Sequence, residues 1–203
     1  LATAARWTEA IGPDAPEPLT LFCLAVNRTV TGGGSAGIHA VNLLLHLLNG
    51  VLVYRMCRRL FERRLPEAVA MLSGLFFVLH PANVEAVASL AGRAQLLGTL
   101  FSMTSVLLFV LATGDRAFPR WGTLGLAVLA YACAFGACRG AWCVPLLVVA
   151  VDGIVRGPGF AGGRMAPVAS YFAVLAVFLE GAWAGLPGGS GQHLWPEGVG
   201  PAL

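Results

Sequence analysis

The sequence predicts an all-α, polytopic membrane helix bundle with about six transmembrane helices. Three observations carry this. Of 203 residues, 57% are hydrophobic and only 11% charged, against roughly 25% charged in a soluble domain. Mean hydropathy is +0.76. Six apolar runs follow one another, separated by short loops that hold most of the charge. All 13 basic residues are arginine, and they sit in those loops rather than on one basic face. The net charge of +3 therefore gives no reason to expect a nucleic-acid partner; membrane lipid is the expected surrounding.

Residues 1–17 contain Pro13, Pro16, Glu9, Asp14 and Glu17 and read as an extramembrane loop, expected to be the end of a longer polar segment. Residues 18–30 are apolar but short of the roughly 20 residues a crossing needs. They end at Arg28 and Gly32-Gly33-Gly34, which suits an interfacial or re-entrant helix. Residues 1–35 thus form a loop with an interfacial helix. Asn27-Arg28-Thr29 is formally a glycosylation sequon in an apolar setting.

The expected spans are 38–54, 68–79, 96–111, 121–135, 142–155 and 167–186, within a membrane domain covering 36–186. The second ends at His80-Pro81, where proline stops a helix. A glycine- and proline-rich loop, 187–203, follows the sixth. The five cysteines, Cys23, Cys57, Cys133, Cys138 and Cys143, lack metal-like spacing, so they read as small apolar side chains and no metal site is expected.

Loop charge fixes the orientation. Loops 55–64, 114–120 and 156–164 hold nine arginines, and the opposite set holds four, Arg6, Arg28, Arg93 and Arg139. By the positive-inside rule the nine-arginine side is cytoplasmic. The stretch His80 to Gln95, the N-terminal loop and Arg139 then face the lumen or periplasm.

Polar groups mark the candidate site. His39, Asn42, His46 and Asn49 stand at offsets 0, 3, 7 and 10 and share one helix face. Such a stripe either hydrogen-bonds to neighbouring helices or lines a substrate groove, with His39 and Asn42 nearest the lumenal end. His80, Glu85 and Arg93 fall within fourteen residues of one another at the same face. Together they suggest a wet notch for an anionic headgroup, since the planar arginine fork matches phosphate. Arg139 is a candidate second contact.

Pro18-Leu19-Thr20, His39 to Asn42 with His46, His80-Pro81 with Glu85-Ala86-Val87, and Gly92-Arg93-Ala94 with Leu96-Leu97 follow one another in a familiar order. Over residues 17–156 this resembles the membrane half of the transmembrane and tetratricopeptide-repeat-containing O-mannosyltransferases, the TMTC family. The resemblance implies a GT-C-type glycosyltransferase of the endoplasmic reticulum membrane (the inner membrane in a bacterium). It implies mannose transfer from dolichyl-phosphate mannose, a polyprenyl-phosphate donor acting as substrate with no cofactor, to serine or threonine of a secretory-pathway protein. It places Glu85 and His80 as catalytic-pocket residues, Arg93 and Arg139 on the lipid phosphate, and His39 and Asn42 along the groove. The family's first span, its acidic first lumenal loop with the expected base, and its repeats would lie outside this chain. Gln95 and Cys138-Arg139 depart from the family's acidic residue and lysine-glutamate pair. Those departures keep open a noncatalytic scaffold of the same fold; the polar stripe alone would also suit a transporter.

Overall fold

The computed structural model describes residues 18–31, 34–62, 66–114, 120–156 and 165–184. The segments 1–17 and 187–203 expected as loops, Gly32-Gly33, and Arg63, Arg64, Arg116 and Arg164 of the arginine-rich loops lie outside them. Among the described residues every regular element is helical. In chain order these are α1 (Pro18–Thr31), α2 (Ser35–Phe61), α3 (Glu67–Leu79), α4 (Val84–Ala88), α5 (Gly92–Thr113), α6 (Trp121–Ala137), α7 (Val144–Arg156) and α8 (Met165–Ala184). Short 3-10 turns at Pro81–Asn83 and Arg139–Cys143 join α3 to α4 and α6 to α7.

Helix lengths limit what can cross a bilayer. α2 has 27 residues and α5 has 22, about 40 and 33 Å at 1.5 Å per residue, enough for a hydrocarbon layer of roughly 30 Å. The pair formed by α3 and Pro81–Ala88 qualifies only as one bent unit, with 48° between its halves. By length and composition, two or three helices can therefore cross; α6 is apolar but shorter. The helix expected over 38–54 gains turns at both ends. The run expected as one helix over 142–155 starts with a 3-10 turn, because Cys138 is extended and breaks it from α6.

The packing is inverted relative to a water-soluble bundle. On α2, Asn42, His46 and Asn49 are buried, whereas Leu43, Leu44, Leu47, Leu48 and Val51 face outward. On α1, Thr20 and Asn27 are the buried residues, and Phe22, Val26 and Val30 lie outside. In water this would expose the apolar groups and desolvate the polar ones, both unfavourable. In hydrocarbon it satisfies both. The apolar core itself is contributed chiefly by α5, α6, α7 and α8, around Val106, Phe109, Tyr131, Val148 and Tyr171. There the Tyr131 and Tyr171 rings stack with centroids 5.3 Å apart. A smaller cluster of Leu45, Leu96, Leu97 and Ala137 lies under α1 and α4. The five cysteines are free; four are half-buried and Cys143 is exposed.

α2 and α3 meet through glycine. A Cβ on Gly50 would overlap Val78, and one on Gly74 would lie 2.9 Å from the Gly50 carbonyl oxygen and 3.1 Å from the Tyr54 Cβ. Near the arginine-rich end, Arg58 Nη1 sits 2.8 Å from Glu67 Oε1, and the Tyr54 hydroxyl donates to the same oxygen at 2.9 Å. That ion pair is solvent-exposed and screened by water, so it adds little, and the glycine contact decides how closely the helices approach. Gly74→Val should separate them and lower stability by about 1–3 kcal/mol, the range for overpacking. A thermal melt in detergent that matches wild type would show that this contact does not hold α3.

Candidate functional site

The corner between α3 and α5 is built by repairing broken helices. Each helix end leaves backbone groups without partners, and in a lipid setting they need donors from within the chain. The Phe77 carbonyl accepts from Asn83 Nδ2 at 2.7 Å. The Val78 carbonyl pairs with His46 Nε2 at 3.1 Å. Asn42 Nδ2 donates to two carbonyls around the end of α4, Val87 at 3.2 Å and Ser89 at 3.0 Å. Asn49 Nδ2 donates to the Leu96 carbonyl at 3.1 Å, and Ser89 Oγ accepts from the Gly92 amide at 2.9 Å. Gly92 is needed at the first position of α5, since a Cβ there would run into the Ala86 backbone.

Arg93 ends this arrangement. Its side chain is 0% exposed. Nε donates to Asn42 Oδ1 at 2.8 Å, and one terminal nitrogen, Nη2, donates to the Ile38 carbonyl at 2.9 Å. With the Asn27 carboxamide turned so that both its ends are satisfied, its oxygen accepts from Nη1 at 2.9 Å and Nη2 at 3.0 Å. Its nitrogen then donates to Thr31 Oγ1 at 3.2 Å. One guanidinium thus ties α5 to α1 and α2 with four hydrogen bonds, all to neutral oxygens. The ion pairs found among the described residues, Arg58–Glu67 and Arg59–Glu62, are elsewhere. Burying a cation without a counter-charge is costly even when it is fully hydrogen-bonded.

The residues expected from sequence fall into two groups. Asn42 and Arg93 come together, bonded to each other in the interior. His80, Glu85, His39 and Arg139 are all exposed. His80 caps the 3-10 turn, with Nδ1 accepting from the Ala82 amide at 3.2 Å, and its ring lies edge-on to Phe76 at 5.2 Å. Glu85 is on the outer side of α4, and its carboxylate makes no hydrogen bond among the described residues. His39 lies in the first turns of α2, outside the buried stripe, so that stripe consists of Asn42, His46 and Asn49. Arg139 opens the turn after α6. His80, Glu85 and Arg93 therefore do not line one notch. The break at Ser89–Leu90 turns α5 away from α4, and Arg93 points inward while the other two point out. A cleft of about 250 Å³ lies at the opposite end of α3, lined by Cys57, Arg58, Glu62, Glu67, Ala70 and Ser73 among others. Among the described residues no group of three or more His, Cys, Asp or Glu side chains is arranged to hold a metal ion.

Asn27, Asn83 and Ser89 have site roles that the sequence reading missed. Asn27 was legible in one respect: it follows Thr20 by seven residues, so these two polar side chains share a helix face. Thr20 Oγ1 donates to the Ala137 carbonyl at 3.0 Å.

Comparison with known proteins supplies the family. Tmtc2 of Drosophila melanogaster, a protein O-mannosyl-transferase, is 34% identical over 145 residues, covering 69% of this chain and 15% of that protein. Human TMTC1, also a protein O-mannosyl-transferase, is 35% identical over 91 residues, 44% of this chain and 10% of its own length. The Caenorhabditis elegans protein O-mannosyl-transferase F38B6.6 is 31% identical over 93 residues, 46% of this chain and 14% of its own. The chain belongs to the TMTC family. It spans 15% or less of the length of these three TMTC relatives. No family model matches it, and no solved structure does.

Within this TMTC chain the hydrogen-bond geometry ranks the polar stripe. Asn42→Ala removes bonds to Val87, Ser89 and Arg93, and each buried group left unpaired costs about 1–3 kcal/mol. Asn49→Ala removes one such bond, to Leu96. Asn42→Ala should therefore lower the thermal midpoint at least twice as far as Asn49→Ala. Equal shifts would show that the α4–α5 corner does not depend on Asn42.

Proposed function

We propose that this chain is a membrane part of a protein O-mannosyl-transferase, and that its α3–α5 corner faces the side where a lipid-linked sugar meets a protein acceptor. The relatives, each a protein O-mannosyl-transferase by name, support the reaction class. The observation that carries the placement is the Arg93 charge: fully buried, bonded only to neutral oxygens, and joined through α4 to a corner that presents His80 and Glu85. At an effective dielectric constant of about 20, a phosphate about 10 Å from that charge gains on the order of 1.7 kcal/mol. That is more than a tenfold gain in occupancy for an anionic donor.

In this reading the donor is dolichyl-phosphate mannose or another polyprenyl-phosphate sugar, and the acceptor is a serine or threonine hydroxyl of a secretory-pathway protein. The hydroxyl oxygen bonds to the sugar carbon, its proton goes to a carboxylate, and the lipid phosphate leaves. Stabilising that departing anion is where fixed positive charge contributes most. Glu85 and His80 orient the sugar or acceptor at the membrane face, Arg93 and Arg139 favour the phosphate, and His39 lies at the mouth beside Asn42. The nine-arginine side is cytoplasmic, the corner lumenal, the membrane that of the endoplasmic reticulum, and the bundle a GT-C domain with about six crossings over 36–186.

A noncatalytic scaffold is the second reading, favoured by Gln95 and Cys138-Arg139, which stand where the family has an acidic residue and a lysine-glutamate pair. Transfer of radiolabelled mannose from the lipid donor to a serine- and threonine-containing peptide, by the full-length protein in membranes, separates the two. Glu85→Gln should lower transfer at least tenfold with expression and melting unchanged. Undiminished transfer by that variant would remove Glu85 from the site, and absence of transfer by the wild type would favour the scaffold.

A further inference from the structure

We propose that Asn27 occupies the place of an anionic oxygen in the Arg93 fork, and that α1 is a displaceable plug over an anion site whose ligand is the phosphate of a polyprenyl-phosphate lipid. This rests on the transferase reading for the identity of the lipid, but not for the existence of the site. The Asn27 oxygen lies 2.9 Å from Nη1 and 3.0 Å from Nη2. It thus bridges the two terminal nitrogens, the position that a carboxylate or phosphate oxygen takes in a charge-assisted pair. An amide oxygen satisfies the hydrogen bonds there but leaves the charge in place. A phosphate oxygen would do both.

The partners of Arg93 differ in how firmly they are held. Asn42 is fixed three times over, by the Val87 and Ser89 carbonyls as well as by Arg93 itself. Ile38 is backbone within the 27-residue α2. Asn27 has one other side-chain tie, to Thr31 on its own helix, so its release leaves only Arg93 short of bonds, and those are the bonds an entering anionic oxygen restores. α1 is pinned two turns earlier, where Thr20 donates to the Ala137 carbonyl. Its C-terminal half can therefore lift about that point. Phe22, Val26 and Val30 on its outer face are already exposed, so in lipid the movement uncovers no buried apolar surface on that side. Because Arg93 is itself 0% exposed, an anion reaches the fork only by taking the place of a present partner, and Asn27 is the one that can yield.

The test uses full-length protein in nanodiscs, with two variants whose effects should run in opposite directions. Asn27→Asp places a carboxylate in the fork. It should raise the melting temperature and weaken dolichyl-phosphate binding at least tenfold. Asn27→Ala empties the fork and should lower the melting temperature while strengthening binding at least threefold. A purely structural asparagine would move stability and binding in the same direction, or leave binding unchanged in both variants, and either outcome overturns the proposal. Inorganic phosphate is the second arm and should bind neither variant with measurable affinity. The crossed pattern appearing with inorganic phosphate but not with dolichyl phosphate would overturn the lipid as ligand and assign the fork to a free anion. Crossed binding without mannose transfer by the wild type would sink the transferase reading and leave this one standing.

Discussion

A backbone carbonyl left without a donor in hydrocarbon costs several kcal/mol, and this chain breaks its helices repeatedly. The breaks after Leu79 and after Ala88 would strand the carbonyls of Val78, Val87 and Ser89. α2 supplies the donors. Asn42, His46 and Asn49 stand at offsets of 0, 4 and 7, one continuous face, and between them bond to four carbonyls, on α3, in α4, just after α4 and on α5. A straight apolar helix at this position would pack in lipid as well as α2 does, but it could not hold a kinked neighbour. The polar stripe and the interrupted helices are therefore one feature, and every other placement at the corner follows from it.

Arg93 extends the same logic from dipoles to a full charge. Hydrogen-bonding alone does not repay the removal of a cation from water, and four bonds to neutral oxygens leave its field intact. A fold that needed only a link between α1, α2 and α5 could have used a glutamine. An excess charge of this kind is rare and costly at membrane depth, and a link between helices does not require it. It also explains why the scaffold and enzyme readings lie so close together: the same side chain is both fastener and charge.

Much of this architecture was legible in the sequence. The apolar runs and the charge-poor composition gave the helical membrane class, His80-Pro81 marked a break, and the spacing of Asn42, His46 and Asn49 marked a shared face. His39 shares that spacing but is exposed, so spacing alone overstated the buried stripe by one residue. The site was less legible, because its bonds between helices join residues 32 to 66 positions apart in the chain, and a periodic pattern reveals a face without revealing what it meets. Arg93 fell before the span expected over 96–111 and so was placed in a notch at the membrane face, whereas α5 begins at Gly92 and holds it in the interior. That glycine is what lets α5 begin close against α4 and turns the arginine inward. Asn27 was obscured by its sequon, a pattern that carries no information about burial.

The shortness of α3 has a consequence for the lipid itself. Thirteen residues rise about 20 Å, some 10 Å less than the hydrocarbon layer, before the chain bends by 48°. Phe76 and Leu79 near its end are 69% and 70% exposed, so acyl chains pack directly against them. A bilayer meeting so short an apolar wall adjusts by thinning locally, which draws headgroups down toward the bend. The protein would thereby create a dimple in the membrane beside its own corner, shortening the path between the polar surface and the helix ends that lie beneath it.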